Sequence, residues 1–426
     1  MEVQKISELY NNITYSLNQT NSTFLNKKLF IITPKLSIRS SYARAAKYII
    51  EYFNKTNVSI YEVISPFFED FPAKLHEASP NIIFFIIPLY LTNCIIEMFS
   101  SSSMYENKQN PINIKTYVKW LYYKPHATVI SNNDLIFLNN TFSQIFTPTR
   151  QLTDTLSQII QCPIKYISCT ASSDSFYPVN KKSARKILNI QNRLHDNSKV
   201  WLAPSGNRYE SRLDIIIQAF VEILQSYPTD ILILLGNPNN SDGLPIQDIY
   251  KQNLIQKEMN IEKFGKNIIL LDSLQVISGI EDHLLNLFYN SADYVIFANS
   301  FSNHMYTVDE ILATNNPAPI IVPRHSWFFN LENYSNNDTI FFCEPSQILY
   351  RCGSEGLDFI VHPMSLFLLM TELRAGLRQK NTITDPELRP SNKQFSSNYS
   401  SNLTEVFQEC LEKFCEITTN DICETR

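Results

Sequence analysis

Two arginines, Arg208 and Arg212, stand four positions apart in the segment PSGNRYESRLDIIIQAF, which covers residues 204–220. The apolar residues before them predict a buried strand, and the apolar residues after them, at helical spacing, predict a helix. A turn from a strand into a helix offers backbone N–H groups and the positive end of the helix dipole to an anion. Two guanidinium groups there could bind phosphate oxygens with paired donors. The alternative is a pair of ordinary surface arginines after the glycine turn at Gly206.

The segment from 207 to 239 resembles the donor-binding domain of family-4 glycosyltransferases, which are retaining enzymes with the GT-B fold. In that family a strand is followed by Gly-Arg or Asn-Arg, a lysine a few residues later, an apolar helix with Ala-Phe, and a strand that ends in glycine. Arg208 matches the family arginine, and Arg212 stands at the lysine position. The resemblance implies that both cations hold the diphosphate of a UDP- or GDP-linked sugar, with Gly206 and Asn207 beside it.

Two later segments agree with the same family in order and spacing. Residues 282–300 resemble its helix and strand that lead to a serine, and residues 303–323 resemble its donor-binding segment. Glu310 falls on the second glutamate of the family's paired-glutamate motif, so the resemblance implies that it accepts hydrogen bonds from the ribose hydroxyls. Ser302 replaces the first glutamate, and His304 is one of the bulkier residues that replace a Gly-Phe-Gly. Both are further candidates for contact with the donor.

A histidine completes the candidate catalytic set. Members of the family commonly carry a histidine of the N-terminal domain near the transferred sugar, and this half of the chain offers His76 and His126. His126 directly precedes a predicted strand and is the stronger candidate, with an ordinary loop histidine as the alternative. The predicted catalytic residues are therefore Arg208, Arg212 and His126.

Composition and charge limit the partners and the compartment of the protein. A formal net charge of −5 without a long basic run argues against nucleic acid as a partner. The eight cysteines form no Cys-x-x-Cys pair and no zinc-ligand set with histidines, so we expect reduced thiols and no metal site. The N-terminus lacks the apolar core of a signal peptide, which predicts a cytoplasmic protein.

One apolar segment, residues 81–99, approaches the length of a transmembrane helix. Pro88, Asn93 and Glu97 interrupt it, whereas a spanning helix needs about 20 predominantly apolar residues. The segment therefore predicts a buried strand at 82–87 that runs into a loop and a helix, and no transmembrane segment.

Strands and helices alternate along the chain in two sets, which predicts two α/β units with mainly parallel sheets. The first set comprises strands at 28–34, 58–64, 82–87 and 127–132 and a helix at 41–53. The second set comprises strands at 199–204, 230–236, 267–272, 293–299 and 319–323 and helices at 211–226, 281–291 and 307–314. The segment 169–183, rich in Ser, Pro and charge, predicts a linker.

The predicted fold class is therefore α/β of the GT-B type, with two Rossmann-like domains and a cleft between them. Residues 1–170 are predicted to form the acceptor-side domain, and residues 175–375 the donor-binding domain. Residues 376–426 are predicted to form a loop and a C-terminal helix, at about 402–418, that packs back on the first domain.

The predicted function is transfer of a sugar from a nucleoside-diphosphate donor to a glycan, lipid or protein acceptor. The resemblance implies retention of configuration and no metal or other cofactor. The alternative is a catalytically weakened GT-B protein that acts as a partner subunit or a sugar-binding module. Missing glycines favour that alternative, because all eight glycines lie at or after Gly206 and the segment 33–46, where the family has a Gly-rich loop, contains none.

Overall fold

The computed structural model describes fourteen parts of the chain, and every structural statement below refers to them. They are residues 28–34, 41–54, 59–64, 75, 78–100, 117–124, 130–167, 175–241, 243–271, 280–300, 306–314, 318–324, 339–351 and 356–377. Within them the strands form two six-stranded sheets and one two-stranded sheet.

The first sheet contains six parallel strands in the order β2-β1-β3-β4-β5-β6. The strands are β1 Lys28–Ile32, β2 Ser59–Ile64, β3 Ile82–Phe85, β4 Val118–Tyr122, β5 Gln144–Thr147 and β6 Ile164–Tyr166. The helices of this unit are α1 Ser41–Asn54, α2 Leu89–Ser100, α3 Asn132–Thr141 and α4 Arg150–Ser157. Strands such as β3, buried along their whole length, are typical of parallel sheets covered by helices on both faces.

The second sheet is also entirely parallel, in the order β12-β11-β10-β7-β8-β9. Its strands are β7 Val200–Ala203, β8 Ile231–Leu234, β9 Ile268–Leu270, β10 Tyr294–Ile296, β11 Ile320–Pro323 and β12 Ile340–Cys343. The helices are α5 Lys181–Ile187, α6 Leu213–Ser226, α7 Ile246–Gln256, α8 Ile261–Phe264, α9 Asp282–Ser291 and α10 Tyr306–Ala313. Short 3-10 helices cover Gln191–Arg193, Tyr209–Ser211 and Gly265–Asn267.

An antiparallel hairpin and a helix follow the second sheet, and the sequence prediction contained neither. The hairpin consists of β13 Pro345–Arg351 and β14 Gly356–Val361, and α11 Pro363–Arg374 comes directly after it. Leu366, Met370 and Leu373 on α11 join the same buried cluster as Phe220 of α6. The apolar face of α11 therefore extends the core of the second unit.

The apolar segment 81–99 forms the buried strand β3 and then helix α2, as predicted. Among the helices of the described residues, none is both long and apolar enough to cross a membrane.

The strand predicted at 127–132 is wrong at its end, because helix α3 begins at Asn132. The side chain of Ser131 accepts a hydrogen bond from the backbone N–H of Asp134, 3.1 Å away, and so caps this helix. Residues 125–129 lie outside the described residues, and β4, β5 and β6 were not predicted at all.

The domain boundaries remain a prediction, although each sheet lies within one of the two predicted domains. The predicted linker 169–183 includes the start of α5, which Asn180 caps by accepting a hydrogen bond from the backbone N–H of Ser183. Residues 168–174 and 378–426 lie outside the described residues, and with them the predicted C-terminal helix.

Candidate functional site

The turn after β7 is tied to the loop after β8 by the side chain of Asn207, which is only 2% exposed. Its Nδ2 donates to the backbone carbonyls of Asn237 and Leu244, both at 3.0 Å, and its Oδ1 accepts from the backbone N–H of Leu244 at 2.9 Å. Two glycines make this approach feasible. A Cβ on Gly236 would lie 2.5 Å from the backbone nitrogen of Asn207, and a Cβ on Gly243 would lie 2.5 Å from its Nδ2.

Gly206 has a different environment, because a Cβ there would meet no atom within 4 Å. Neither a strained backbone angle nor a packed neighbour requires glycine at this position. The lack of a side chain instead leaves open space beside the turn. A ligand could approach the backbone there.

Arg208 and Arg212 lie in the same turn, as predicted, but their environments differ. Arg212 adopts left-handed backbone angles (φ 48°, ψ 46°) at the N-cap of α6 and forms a bidentate pair with Asp214, through Nε at 3.1 Å and Nη2 at 2.8 Å. This hydrogen-bonded pairing raises the pKa of Arg212. Arg208 is exposed, and no hydrogen bond or ion pair engages its guanidinium within the described part of the chain. Arg208 is therefore the cation of this turn that can bind an anion without first losing a partner.

Glu310 lies on α10, is only 1% exposed, and is surrounded by donors from both units. Its Oε1 accepts a hydrogen bond from the hydroxyl of Tyr48 on α1 at 3.1 Å, and its Oε2 accepts one from the hydroxyl of Tyr289 on α9 at 2.8 Å. Arg44 Nη1 approaches Oε1 to 3.4 Å. Burial and then the charge of Glu310 raise the pKa of Tyr48, so this hydroxyl stays protonated and donates.

Asp282, the first residue of α9, extends this contact between the units. It forms an ion pair with Arg44 at 2.7 Å and a second one with Lys47, both on α1. Burial raises the pKa of Asp282, but the charges of Arg44 and Lys47 outweigh burial, and the net pKa lies below its ordinary value. Helix α1 of the first unit thus binds two acidic residues of the second.

A second contact between the units lies at the end of β4. The hydroxyls of Tyr122 and Tyr306 share a hydrogen bond. Lys124, two residues after β4, is 7% exposed, and its ammonium lies 5.6 Å from the ring centroid of Tyr306. Burial and then the positive charge of Arg208 lower the pKa of Lys124 to about 7. Lys124 was not among the predicted site residues, and the signal that could have found it is a lysine two residues after the run Trp120–Tyr122.

Three predicted site residues, His126, Ser302 and His304, lie outside the described residues. Their predicted roles stay predictions. Of the others, the structure places Gly206, Asn207, Arg208 and Arg212 in one turn, and Glu310 in the separate network between the units.

No protein-family model matches the sequence, and no curated protein matches it. Solved structures do match. Sucrose-phosphate synthase from Thermosynechococcus elongatus superposes with a TM-score of 0.58 at 13% identity, over 94% of this chain and 100% of that chain. HepE from Anabaena, solved with UDP and glucose, gives a TM-score of 0.58 at 13% identity, over 92% of this chain and 100% of that chain.

A third structure, a glycosyltransferase from Rickettsia africae, gives a TM-score of 0.53 at 13% identity, over 92% of this chain and 98% of that chain. At such identity the similarity concerns the fold, so membership of family 4 and retention of configuration stay predictions. The matched glycosyltransferases share the architecture of two Rossmann-like units that the two parallel sheets form here. The predicted fold class is therefore confirmed, and the chain has the GT-B fold.

Proposed function

We propose that the protein is a glycosyltransferase that moves a sugar from a nucleoside-diphosphate donor to an acceptor. The observation that carries the proposal is the position of Arg208. Its exposed guanidinium stands at the carboxyl end of β7, beside the open space at Gly206. Ligands of open parallel sheets bind at this edge. A UDP-linked donor is the first candidate, since the similar HepE has been solved with UDP and glucose.

The proposed chemistry assigns each residue of the turn a role. As the bond to the sugar breaks, negative charge develops on the leaving diphosphate, and Arg208 stabilises that charge. One preorganised donor of this kind contributes about 10²–10³ in rate. Arg212 has a weaker claim, because Asp214 holds its guanidinium and places a negative charge in the first turn of α6. Asn207 fixes the position of the turn.

The finer parts of the proposal rest on the resemblance in sequence. They are retention of configuration, a reaction without a metal or other cofactor, Glu310 as the ribose contact, and His126 near the transferred sugar. A glycan, a lipid or a protein can each be the acceptor under this proposal.

A second candidate function is a weakened GT-B protein that serves as a partner subunit or a sugar-binding module. The observation that favours it is the network around Glu310, where Tyr48 and Tyr289 already donate to both carboxylate oxygens. Because Glu310 is only 1% exposed, ribose hydroxyls could reach it only if a residue that covers it moved aside. The first candidate is preferred because Arg208 needs no such exchange.

Calorimetric titration with UDP, GDP and their sugars, followed by an assay of donor hydrolysis, tests the two candidates. The first predicts saturable binding and slow hydrolysis, with Arg208→Ala weakening UDP binding by about 10- to 150-fold, as expected for a charge-assisted contact. Arg193→Ala is the matched control, because Arg193 is also exposed but precedes the amino end of β7. A folded wild-type protein that binds no nucleotide at millimolar concentration would favour the partner-subunit function.

A further inference from the structure

We propose that Lys124 forms the other half of the donor-diphosphate site, so that the diphosphate is held between Lys124 of the first unit and Arg208 of the second. This inference rests on the proposed function and adds a residue to its site. The resemblance in sequence did not assign Lys124 any role.

The topology places the two cations at equivalent edges of the two sheets. Lys124 follows the carboxyl end of β4, an interior strand of the first sheet, and Arg208 follows the carboxyl end of β7, an interior strand of the second. Ligands bind at this edge in parallel sheets. Lys124 and Tyr122, at the end of β4, contact Tyr306, which begins α10, the helix that follows β10, and β10 pairs with β7, so the two edges meet here.

Contacts on three sides hold Lys124 in this place. The hydroxyl of Tyr42 on α1 donates to the backbone carbonyl of Lys124 at 2.6 Å, and the ring of Tyr306 lies beneath its ammonium at 5.6 Å. The hydrogen bond between Tyr122 and Tyr306 fixes that ring against the end of β4. Among the described titratable and charged groups, Tyr42 from α1, Tyr122 from β4, Tyr306 from α10 and Arg208 from the turn after β7 face Lys124.

The electrostatics of this arrangement suit a phosphate. Two like charges brought together at a buried position repel each other, and an anion between them turns the repulsion into two attractions. A lysine ammonium serves as a point charge for phosphate, whereas the arginine beside it can bind two oxygens at once. Because the pKa of Lys124 is about 7 without an anion, binding must raise it. Binding above pH 7 must therefore take up a proton from solvent.

The test is calorimetric titration with UDP and, separately, with inorganic pyrophosphate. Pyrophosphate lacks ribose and base, so it probes the two cations without involving Glu310. We expect Lys124→Met to weaken the binding of both ligands by about tenfold at pH 7, as the loss of one charge-assisted contact predicts. Lys119→Met is the matched control: Lys119 is also a buried lysine, but it lies near the amino end of β4 and donates to the carbonyl of Tyr117.

The second readout is the proton that the protein takes up when the ligand binds. Wild-type affinity should fall by about tenfold between pH 7.5 and 9 as Lys124 loses its proton, and this fall should be absent in Lys124→Met. Titration of the wild-type protein at pH 8 in two buffers of different ionisation enthalpy should show net proton uptake, and this arm needs no variant. Wild-type binding without proton uptake, or equal affinity for Lys124→Met, overturns the role of Lys124 and leaves the proposed function standing. Failure of the wild-type protein to bind either ligand overturns both.

Discussion

The hydroxyl of Tyr48 donates a hydrogen bond of 3.1 Å to the carboxylate of Glu310, and this contact joins residues 262 positions apart in the chain. Tyr48 lies on α1 of the first unit and Glu310 on α10 of the second. The carboxylate proposed to bind ribose is therefore also a point of attachment between the units. The proposed ribose contact would therefore have to be made at a carboxylate that is 1% exposed and that Tyr48 partly covers.

Tyr48→Phe should strengthen UDP binding by about two- to fivefold, because ribose no longer competes with the tyrosine hydroxyl for Glu310. The same change should destabilise the protein by about 1–3 kcal/mol, since a buried acceptor loses a donor. Titration calorimetry and thermal unfolding measure the two effects. Tyr250→Phe is the control: the hydroxyl of Tyr250 bonds the carbonyl of Phe264, so its loss should lower stability without changing UDP affinity. Unchanged or weaker UDP binding by Tyr48→Phe would show that the two do not compete.

Asp282→Asn should lower the free energy of unfolding by about 1–3 kcal/mol at pH 7, because Arg44 and Lys47 lose their charged partner. The folded-state pKa of Asp282 lies below the ordinary 3.8, so its contribution is present above pH 3.8 and is lost as the pH falls through the folded-state value. The difference between variant and wild type should therefore shrink below pH 4. Denaturant unfolding at pH 7 and in acid measures it, with the exposed Asp196→Asn as control. A difference that does not change with pH would exclude this ionic contribution.

Two glycine substitutions should have opposite effects. Gly206→Leu should leave stability within about 0.5 kcal/mol of wild type, as is usual for surface changes, while its side chain fills the space beside Arg208 and weakens UDP binding. Gly236→Ala should unfold at a lower temperature, because the added Cβ would lie 2.5 Å from the backbone of Asn207. Thermal unfolding and titration of both variants make the comparison. Full UDP affinity in Gly206→Leu would place the nucleotide elsewhere.

Lys124→Met should stabilise the ligand-free protein most at pH below 7. The pKa of Lys124 is lowered to about 7 from 10.5, so below pH 7 the folded protein bears the full penalty of a buried charge. Between pH 7 and 10.5 the unfolded chain binds the proton that the folded protein has released, and wild-type stability rises. The melting temperature of the variant should exceed wild type by on the order of 4 °C at pH 6.5, and the gap should narrow by pH 9.5. A gap that widens with pH would contradict this assignment.

The sequence predicted the local parts of the site and not the contacts between distant parts. The turn at Arg208 was predictable because an apolar strand and an amphipathic helix flank it directly. The pairing of Arg212 with Asp214 depends on the left-handed backbone at Arg212. The residue types in this segment do not predict that backbone conformation. The contacts of Glu310 join three helices that only the fold brings together.

The strands likewise differed in how well the sequence predicted them. The run of apolar residues at β3 gave a clear signal, and the structure confirms it. β4 carries Lys119 as its second residue, so its pattern resembles that of an exposed segment, although the lysine is buried. The hairpin leaves Ile348 and Leu349 of β13 exposed but buries Phe359 and Val361 of β14, so its two strands have no common apolar pattern.

The hydrogen bonds of the Asn207 side chain also affect the conformational entropy that the turn would lose when a ligand binds. A mobile phosphate loop loses conformational freedom when its ligand arrives, at about 0.5–1.5 kcal/mol for each side chain that becomes fixed. Here the turn is already held by the hydrogen bonds of Asn207 to the loop after β8. That loss of freedom occurs once, during folding, and would not recur when a ligand binds at the proposed site beside Arg208.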